Sequence, residues 1–289
     1  MKLPAPKWTV DADARHRYTI LKPTKEVVGP LTSVTTACGI IDKPNLISWS
    51  ARVGAEHFKA EILRLGVKAL SAVELERIFE EAKSKHRTIA KDAADLGTRC
   101  HDAFEAIILG KEPEGFPAEL LEPIRAFKEW RLKSDIEIVA TELKVGSVKH
   151  GFGGCIDAVG YSESRGGWGI VDYKTSSGFY GNEYAYQAGG GYAIAAGEQY
   201  DIDIKWSEII RFAKKAPFES EGRSVTDMAA AAAGFLHALE LARSCKLKLI
   251  SEPTFASAGV LVEEKPKATA KTNGAAKTNG RKVPAGMKF

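Results

Sequence analysis

The order of helical and extended patterns predicts a mixed α/β fold, with a central mixed β-sheet flanked by helices and a helical N-terminal half. Amphipathic helical patterns occur at 45–66, 71–86, 88–111 and 117–134. Extended patterns occur at 136–146, 152–160, 168–174 and 203–214, and further helical patterns at 183–197 and 224–248. Because strict strand–helix alternation is missing, the sheet is not expected to be all parallel.

Local signals mark where several of these elements begin. The helix at 45–66 follows Pro44, a residue favoured in the first helical turn. The next helix opens with Ser71 and has Glu74 three residues later, which is the spacing of a capping box. The N-terminal segment 1–43 is rich in β-branched residues bounded by Pro and Gly, so strand and loop are predicted there.

The predicted domain organisation is one domain over 1–264 and a disordered basic tail over 265–289. Within the domain we expect a helical part at about 45–134, a sheet core at about 135–215 and the C-terminal helix. The tail repeats A-K-T-N-G and has few large apolar residues, so it cannot bury enough apolar surface to become ordered.

Charge is unevenly distributed along the chain. The net charge is +4, but seven of the 41 Lys and Arg residues lie in 265–289, leaving 34 against 37 Asp and Glu. The folded part is therefore not a globally basic nucleic-acid binder, and any anion-binding surface on it must be local. The tail either adds salt-sensitive attraction to phosphate backbones or only improves solubility.

Two observations bear on the compartment. No apolar run is long enough to span a bilayer, and the first residues lack the apolar segment of a secretory signal, so a cytoplasmic protein without membrane contact is expected. The cysteines are scattered without a C-x-x-C pair and are interpreted as small buried residues, although their spacing does not exclude a metal site. They are Cys38, Cys100, Cys155 and Cys245.

Two neighbouring strands carry charged residues where a half-buried sheet normally has apolar ones. Strand side chains alternate between faces, so Asp172 and Lys174 of "GIVDYKTS" share a face. By the same rule Asp157 shares a face with Cys155 and Val159 in "GGCIDAVG". Such a concentration of charge indicates either a functional site or a surface salt bridge on an exposed sheet face.

The segment 161–167, "YSESRGG", has the composition of a hairpin connection. Symmetric pairing about it places Asp157 opposite Asp172, with Cβ atoms about 5 Å apart. Two carboxylates that close repel each other unless a cation lies between them, and carboxylate oxygens suit Mg²⁺. Lys174 would then orient a water or stabilise charge on a phosphate oxygen.

These strands resemble the G-x-x-D…D-x-K core of the PD-(D/E)xK nuclease superfamily. The likeness spans about 30–215 and is closest to the RecB-like exonuclease branch, which includes CRISPR-associated, phage-encoded and mitochondrial genome maintenance exonucleases. The resemblance implies a restriction-endonuclease-like fold and a Mg²⁺- or Mn²⁺-dependent DNA exonuclease. A PD-(D/E)xK endonuclease and a catalytically inactive nucleic-acid-binding module remain as alternatives.

The resemblance also implies a ligand set. In "LGTRCHDAFE", Gly97 and His101 match the family's upstream G-x-x-x-H, whose histidine joins the metal site. Glu142 matches a Glu on the first core strand, and the backbone carbonyl of Tyr173 is an implied ligand beside the two aspartates. The competing interpretations are a half-exposed helix histidine for His101 and an ion pair with Lys144 for Glu142.

A Gln and a Tyr on the helix after D-x-K contact DNA in the family. Gln187 and Tyr192 match them but are five residues apart instead of four, and positions i and i+5 diverge on a regular helix. The glycines at 189–191 could hold a helical bulge that restores the facing; otherwise Tyr192 is a core residue. Lys144 and Lys149 are further candidates for contact with the DNA backbone.

Partners and cofactors follow from the same resemblance. The expected partner is DNA, as single strands or free ends, with recombination or replication proteins beside it in phage-type recombination, repair or replication. Some family members hold an iron–sulfur cluster through clustered cysteines. The four cysteines here are not clustered, so no iron–sulfur cluster is predicted.

Overall fold

The structure is a computed structural model that describes residues 1–66, 70–111, 116–176, 178–212 and 220–247, with an eight-stranded sheet between helices. The strands are β1 (Thr9–Ala12), β2 (Tyr18–Leu21), β3 (Val27–Ser33), β4 (Glu137–Ser147), β5 (Phe152–Ser162), β6 (Gly167–Lys174), β7 (Ile204–Phe212) and β8 (Ser220–Ser224). The helices are α1 (Val34–Cys38), α2 (Pro44–Leu65), α3 (Ala72–Ile108), α4 (Ala118–Lys133), α5 (Glu183–Ala185), α6 (Ala193–Tyr200) and α7 (Met228–Ser244). Between α5 and α6, residues Tyr186–Tyr192 form a π-helical segment.

The sheet is mixed, which confirms the predicted fold class. The pairs β3–β5 and β6–β7 are parallel, and the remaining neighbours are antiparallel. Strand β5 pairs with β4 along one edge, whereas its other edge pairs first with β3, ending at Gly153, and then with β6 from Ala158 onward. Over 154–157 no described strand residue pairs with that second edge, so the sheet has a gap beside Asp157.

Two large hydrophobic cores lie against the sheet, in addition to a small cluster of Tyr18, Ile20 and Leu31. The α7-side core combines α1, the π-helical segment, α6 and α7, and includes Tyr192 and Phe235. The α3-side core combines α3 and α4 and is rich in aromatic rings, with the stacked rings of Phe104 and Phe127 at a centroid distance of 4.3 Å. Burial of these large side chains fixes α3 against the sheet, because each fully buried ring contributes on the order of 2 kcal/mol.

Two local predictions of secondary structure are wrong, and one strand was missed. The helices predicted at 71–86 and 88–111 form the single helix α3, since no Gly or Pro interrupts the sequence before Gly97. The predicted capping box is present at its start. Residues 34–38, predicted as strand or loop, form α1, because the Ser33 hydroxyl accepts a hydrogen bond from the Thr36 amide and caps the helix. The short polar strand β8 was not predicted.

The prediction that Asp157 shares a face with Val159 is also wrong. Ile156 and Val159 both belong to the α7-side core, while Ala158 belongs to the α3-side core. Residues three apart on a regular strand point to opposite faces, so the alternation is interrupted at this position of β5. Opposite Asp157 on β4, Glu142 has a φ of 47°. Such local irregularities re-aim side chains.

Other predictions have mixed outcomes. Cys38 and Cys100 are buried as expected and Cys155 is half-buried, but Cys245 is exposed because it follows the last turn of α7. None of the described helices is long and apolar enough to cross a bilayer. Met1–Leu247 form one compact unit. The predicted tail 265–289 lies outside the described residues.

Candidate metal centre

Three side chains from three elements converge at the gap in the sheet. They are His101 of α3, Glu142 of β4 and Asp157 of β5, and one potential ligand atom of each lies within 4.8 Å of the others. His101 Nδ1 is 3.4 Å from Asp157 Oδ1 and 4.0 Å from Glu142 Oε1. Each side chain is only partly exposed. The cluster is therefore accessible from solvent but largely screened from it.

Gly97 explains how α3 brings His101 to the sheet. It lies one helical turn before His101 and on the same face of the helix. A Cβ atom at this position would lie 3.3 Å from Thr175 Oγ1, just beyond the end of β6. A residue without a side chain thus allows the helix to approach the strand closely. This gives a physical reason for the spacing of G-x-x-x-H.

The position of Glu142 depends on an unusual backbone conformation. The register of β4 and β5 places it opposite Asp157, and its positive φ is the left-handed conformation that costs a non-glycine residue about 1–2 kcal/mol. Strain of this kind concentrates at functional sites. The Cys155 thiol donates to Glu142 Oε2 at 3.4 Å. Neither the strain nor the contact with Cys155 was anticipated from the sequence, although Cys155 lies two residues before Asp157.

Asp157 links the two edges of the gap. The described pairing of β5 with β6 begins at Ala158 and Val171, so Asp157 and Asp172, which symmetric pairing predicted to be opposite each other, lie just beyond that ladder. In place of a further ladder hydrogen bond, the Tyr173 amide donates to Asp157 Oδ2 at 2.6 Å. The other carboxylate oxygen faces His101. The backbone amide of Tyr173 thus contacts the site. Binding of a metal ion by the backbone carbonyl of Tyr173 stays a prediction.

Asp172 and Lys174 form an ion pair beside the cluster. They lie on the same side of β6 as predicted, since Ile170 packs in the α7-side core while Val171 and Tyr173 pack in the other. Asp172 is 1% exposed, so the alternative of a surface salt bridge does not describe it. Its Oδ1 is buried and has no hydrogen-bond partner among the described residues.

The surroundings of the two aspartates shift their pKa values in opposite directions. Burial and the charge of Asp157 raise the pKa of Asp172 to about 6, against the opposing effect of Lys174. Burial also acts to raise the pKa of Asp157, but the charge and hydrogen bond of His101 hold it below its ordinary value. Of the two, Asp157 is thus the one whose surroundings favour the ionised form, and Asp172 the one whose surroundings favour the protonated form.

The basic groups of the site are held in their charged forms by the acids. Burial opposes the charge of His101, but Asp157 raises its pKa above the ordinary value. Asp172 and then Asp157 likewise raise the pKa of Lys174 against the effect of burial. For Glu142, burial and the charge of Asp157 raise the pKa. The site thus brings three acidic and two basic groups close together, and the number of protons that they bind depends on pH.

The π-helical segment resolves the unusual spacing of Gln187 and Tyr192. A π-helix widens the turn to an i to i+5 repeat, which brings these two side chains together. Gln187 Nε2 donates to Tyr192 Oη at 3.1 Å. Tyr192 is 4% exposed and packs on β5, where a Cβ at Gly154 would lie 2.7 Å from its ring. Tyr192 is therefore a core residue that supports Gln187. Of the two predicted DNA-contacting side chains, Gln187 is the half-exposed one.

The two candidate DNA-contacting lysines lie outside the cluster. Lys144 forms an ion pair with Asp11 of β1 at 3.3 Å, and the contacts of Glu142 are with His101 and Cys155 instead of Lys144. Lys149 is exposed in the turn after β4. It is seven residues from Glu142, or roughly 20 Å along an extended chain. Lys149 can meet only a distant part of a bound polymer.

Models of known protein families and curated proteins were compared with this chain, and neither comparison found a match. The geometry of the cluster is therefore what supports a function.

The residues of the cluster fit a divalent cation. Carboxylate oxygens are preferred ligands of Mg²⁺ and Mn²⁺, and a neutral imidazole can complete such a set. The orphaned Oδ1 of buried Asp172 is the kind of atom that a cation would satisfy. His101, Glu142, Asp157 and Asp172 are the residues that would hold it.

Proposed function

We propose that this chain is a Mg²⁺- or Mn²⁺-dependent DNA nuclease, an exonuclease that acts in the cytoplasm in phage-type recombination, repair or replication. The observation that carries this proposal is the convergence of His101, Glu142 and Asp157 at 4.8 Å or less, beside the buried pair of Asp172 and Lys174. These are the positions at which the sequence resembles the PD-(D/E)xK nucleases. The fold class agrees with that resemblance.

A divalent cation bound at this cluster would polarise the scissile phosphate and lower the pKa of a coordinated water. The protein supplies the remaining elements of catalysis. Lys174 stays charged because Asp172 and Asp157 raise its pKa, so its ammonium can donate to a phosphate oxygen and position a water. Asp157 holds His101 in place through the Nδ1 contact. The hydrogen bond to Tyr192 orients Gln187, which can contact the bound strand.

The test is digestion of end-labelled linear and circular DNA with Mg²⁺, Mn²⁺ or EDTA. We expect cation-dependent release of nucleotides from linear DNA, loss of activity in EDTA, and no cleavage of circles. Cleavage of circles would instead assign an endonuclease. Binding of DNA without cleavage in either cation would assign an inactive binding module. Unimpaired degradation by Asp172→Asn or Lys174→Ala protein would overturn the assigned site.

A further inference from the structure

A cavity of about 330 Å³ is lined by Tyr184, a neighbour of Lys174, although none of the proposed metal ligands lines it. Its walls come from the loop after β6, the start of the π-helical segment, the edge strand β8 and the beginning of α7. The side chains that matter here are Phe179, Tyr184 and Arg223. Its volume falls within the range of pockets that bind small ligands. None of the catalytic roles assigned above uses these three residues.

Aromatic rings make this cavity suitable for a flat ligand. The rings of Phe179 and Tyr184 are nearly perpendicular, at 82°, with centroids 6.2 Å apart, and both are half-buried. The guanidinium of Arg223 lies 4.4 Å from the centroid of the Phe179 ring. Aromatic rings combined with arginine are the means by which proteins stack the bases of single-stranded nucleic acids.

The charged residues around the cavity include arginine, with Glu221 and Asp227 as the acids nearby. Arg211 and Arg223 both bind the carboxylate of Glu221, at 2.9 and 2.7 Å, so two guanidinium groups share one acid. Arg223 is 59% exposed and can turn from Glu221 toward solvent. Arginine is well suited to phosphate because its donors form paired hydrogen bonds with phosphate oxygens. The aromatic rings of the cavity therefore suit a nucleobase, and the guanidinium of Arg223 suits the phosphate next to it.

Tyr184 connects the cavity to the metal centre. Its ring lines the cavity, and the ring centroid is 5.6 Å from Nζ of Lys174, the residue paired with Asp172. A nucleotide in the cavity would place its own strand beside that lysine. A base in a duplex is stacked on both faces and paired along its edge, so only an unpaired base can enter.

We propose that this cavity binds an unpaired nucleobase of the substrate strand, with the adjacent phosphate at Arg223. This inference rests on the proposed nuclease function and adds a ligand subsite to it. The cavity acts as a subsite that positions the strand relative to Lys174.

The test measures binding of a fluorescein-labelled single-stranded oligonucleotide by anisotropy in EDTA, so that no cleavage occurs. Tyr184→Leu and Phe179→Leu remove a ring while retaining apolar volume. Each is expected to weaken binding by about 5- to 150-fold, the usual effect of losing one base-stacking ring. Phe79→Leu is the matched control. It removes a half-exposed ring 22 residues before His101 on α3, about 33 Å away along the helix.

Four results distinguish the possibilities. Weaker binding by both cavity variants, with wild-type binding by the control and unchanged circular dichroism, supports the subsite. Wild-type affinity in both folded cavity variants overturns the subsite. If one of these variants fails to fold, binding by the Arg223→Gln variant is measured in its place. Cation-dependent cleavage of duplex by protein that does not bind single strands would overturn the subsite while leaving the nuclease. Ring-dependent binding without any cleavage would leave the subsite and overturn the nuclease.

Discussion

The imidazole of His101 on α3 lies against the carboxylate of Asp157 on β5, with Nδ1 3.4 Å from Oδ1. This contact joins the helical half of the chain to the sheet at the gap in the pairing of β5. It also lowers the pKa of Asp157 and raises that of His101. The proposed metal centre depends on keeping α3 at this distance from the sheet.

Gly97→Val is predicted to damage the site more than the fold. The added side chain would press on Thr175, whose Oγ1 would be only 3.3 Å from the new Cβ, and would push α3 and His101 away from Asp157. We expect Mn²⁺ affinity, measured by calorimetry, to fall by about tenfold, a typical effect of disturbing residues that support metal ligands.

Ala94→Val is the matched control for this change. It places the same β-branched side chain on the exposed surface of α3, and it lowers helix propensity, whereas replacing Gly97 by Val does not. Its Mn²⁺ affinity should equal that of the wild type. Equal affinities for Gly97→Val and Ala94→Val would show that the close approach of α3 is not needed.

Mn²⁺ binding is predicted to weaken as the pH falls through about 6. A cation needs ionised carboxylates and a neutral imidazole, so protons compete with it. The pKa of Asp172 is raised to about 6 and that of His101 is raised above its ordinary value, so both groups gain protons as the solution becomes mildly acidic. Calorimetric titrations between about pH 5 and 8 would measure this. Affinity that stays constant down to the ordinary carboxyl range near pH 4 would contradict it.

Gly190→Ala is predicted to destabilise the fold. A Cβ at this position of the π-helical segment would lie 2.6 Å from the Ala231 carbonyl oxygen and 2.7 Å from Phe235 Cβ, both in α7. Overpacking of this kind costs about 1–3 kcal/mol in the free energy of unfolding, measurable by urea denaturation. Gly178→Ala is the control, since its new Cβ would lie no closer than 3.4 Å to its nearest neighbour, the Tyr180 side chain. Wild-type stability of the Gly190 variant would show that α7 does not pack this tightly.

Much of the architecture was predictable because it depends on local patterns. The capping box at Ser71, the strands around the 161–167 connection and the shared face of Asp172 and Lys174 follow from side-chain period and turn composition. The mixed sheet followed from the order of the elements. Except for the mixed sheet, each of these features involves residues close together in sequence.

The details of the site depend on tertiary contacts, and they were therefore harder to predict from the sequence. Period two placed Asp157 and Val159 on one face, whereas the irregularity opposite Glu142 turns Asp157 toward His101. No local signal announces a left-handed Glu142, because the conformation is imposed by the surrounding sheet. From the sequence, the π-helical segment could be predicted only as one of two alternatives that would explain the spacing of Gln187 and Tyr192.

The most direct test of the proposed metal centre is cleavage of end-labelled linear DNA in Mn²⁺ by the Asp157→Asn variant. This change keeps the shape of the side chain that contacts both His101 and the Tyr173 amide but removes its charge. Asp203→Asn, at an exposed ion pair with Lys205, is the control. We predict a loss of about 100-fold or more for Asp157→Asn and wild-type cleavage for the control. Cleavage by Asp157→Asn at the wild-type rate would contradict the proposed centre.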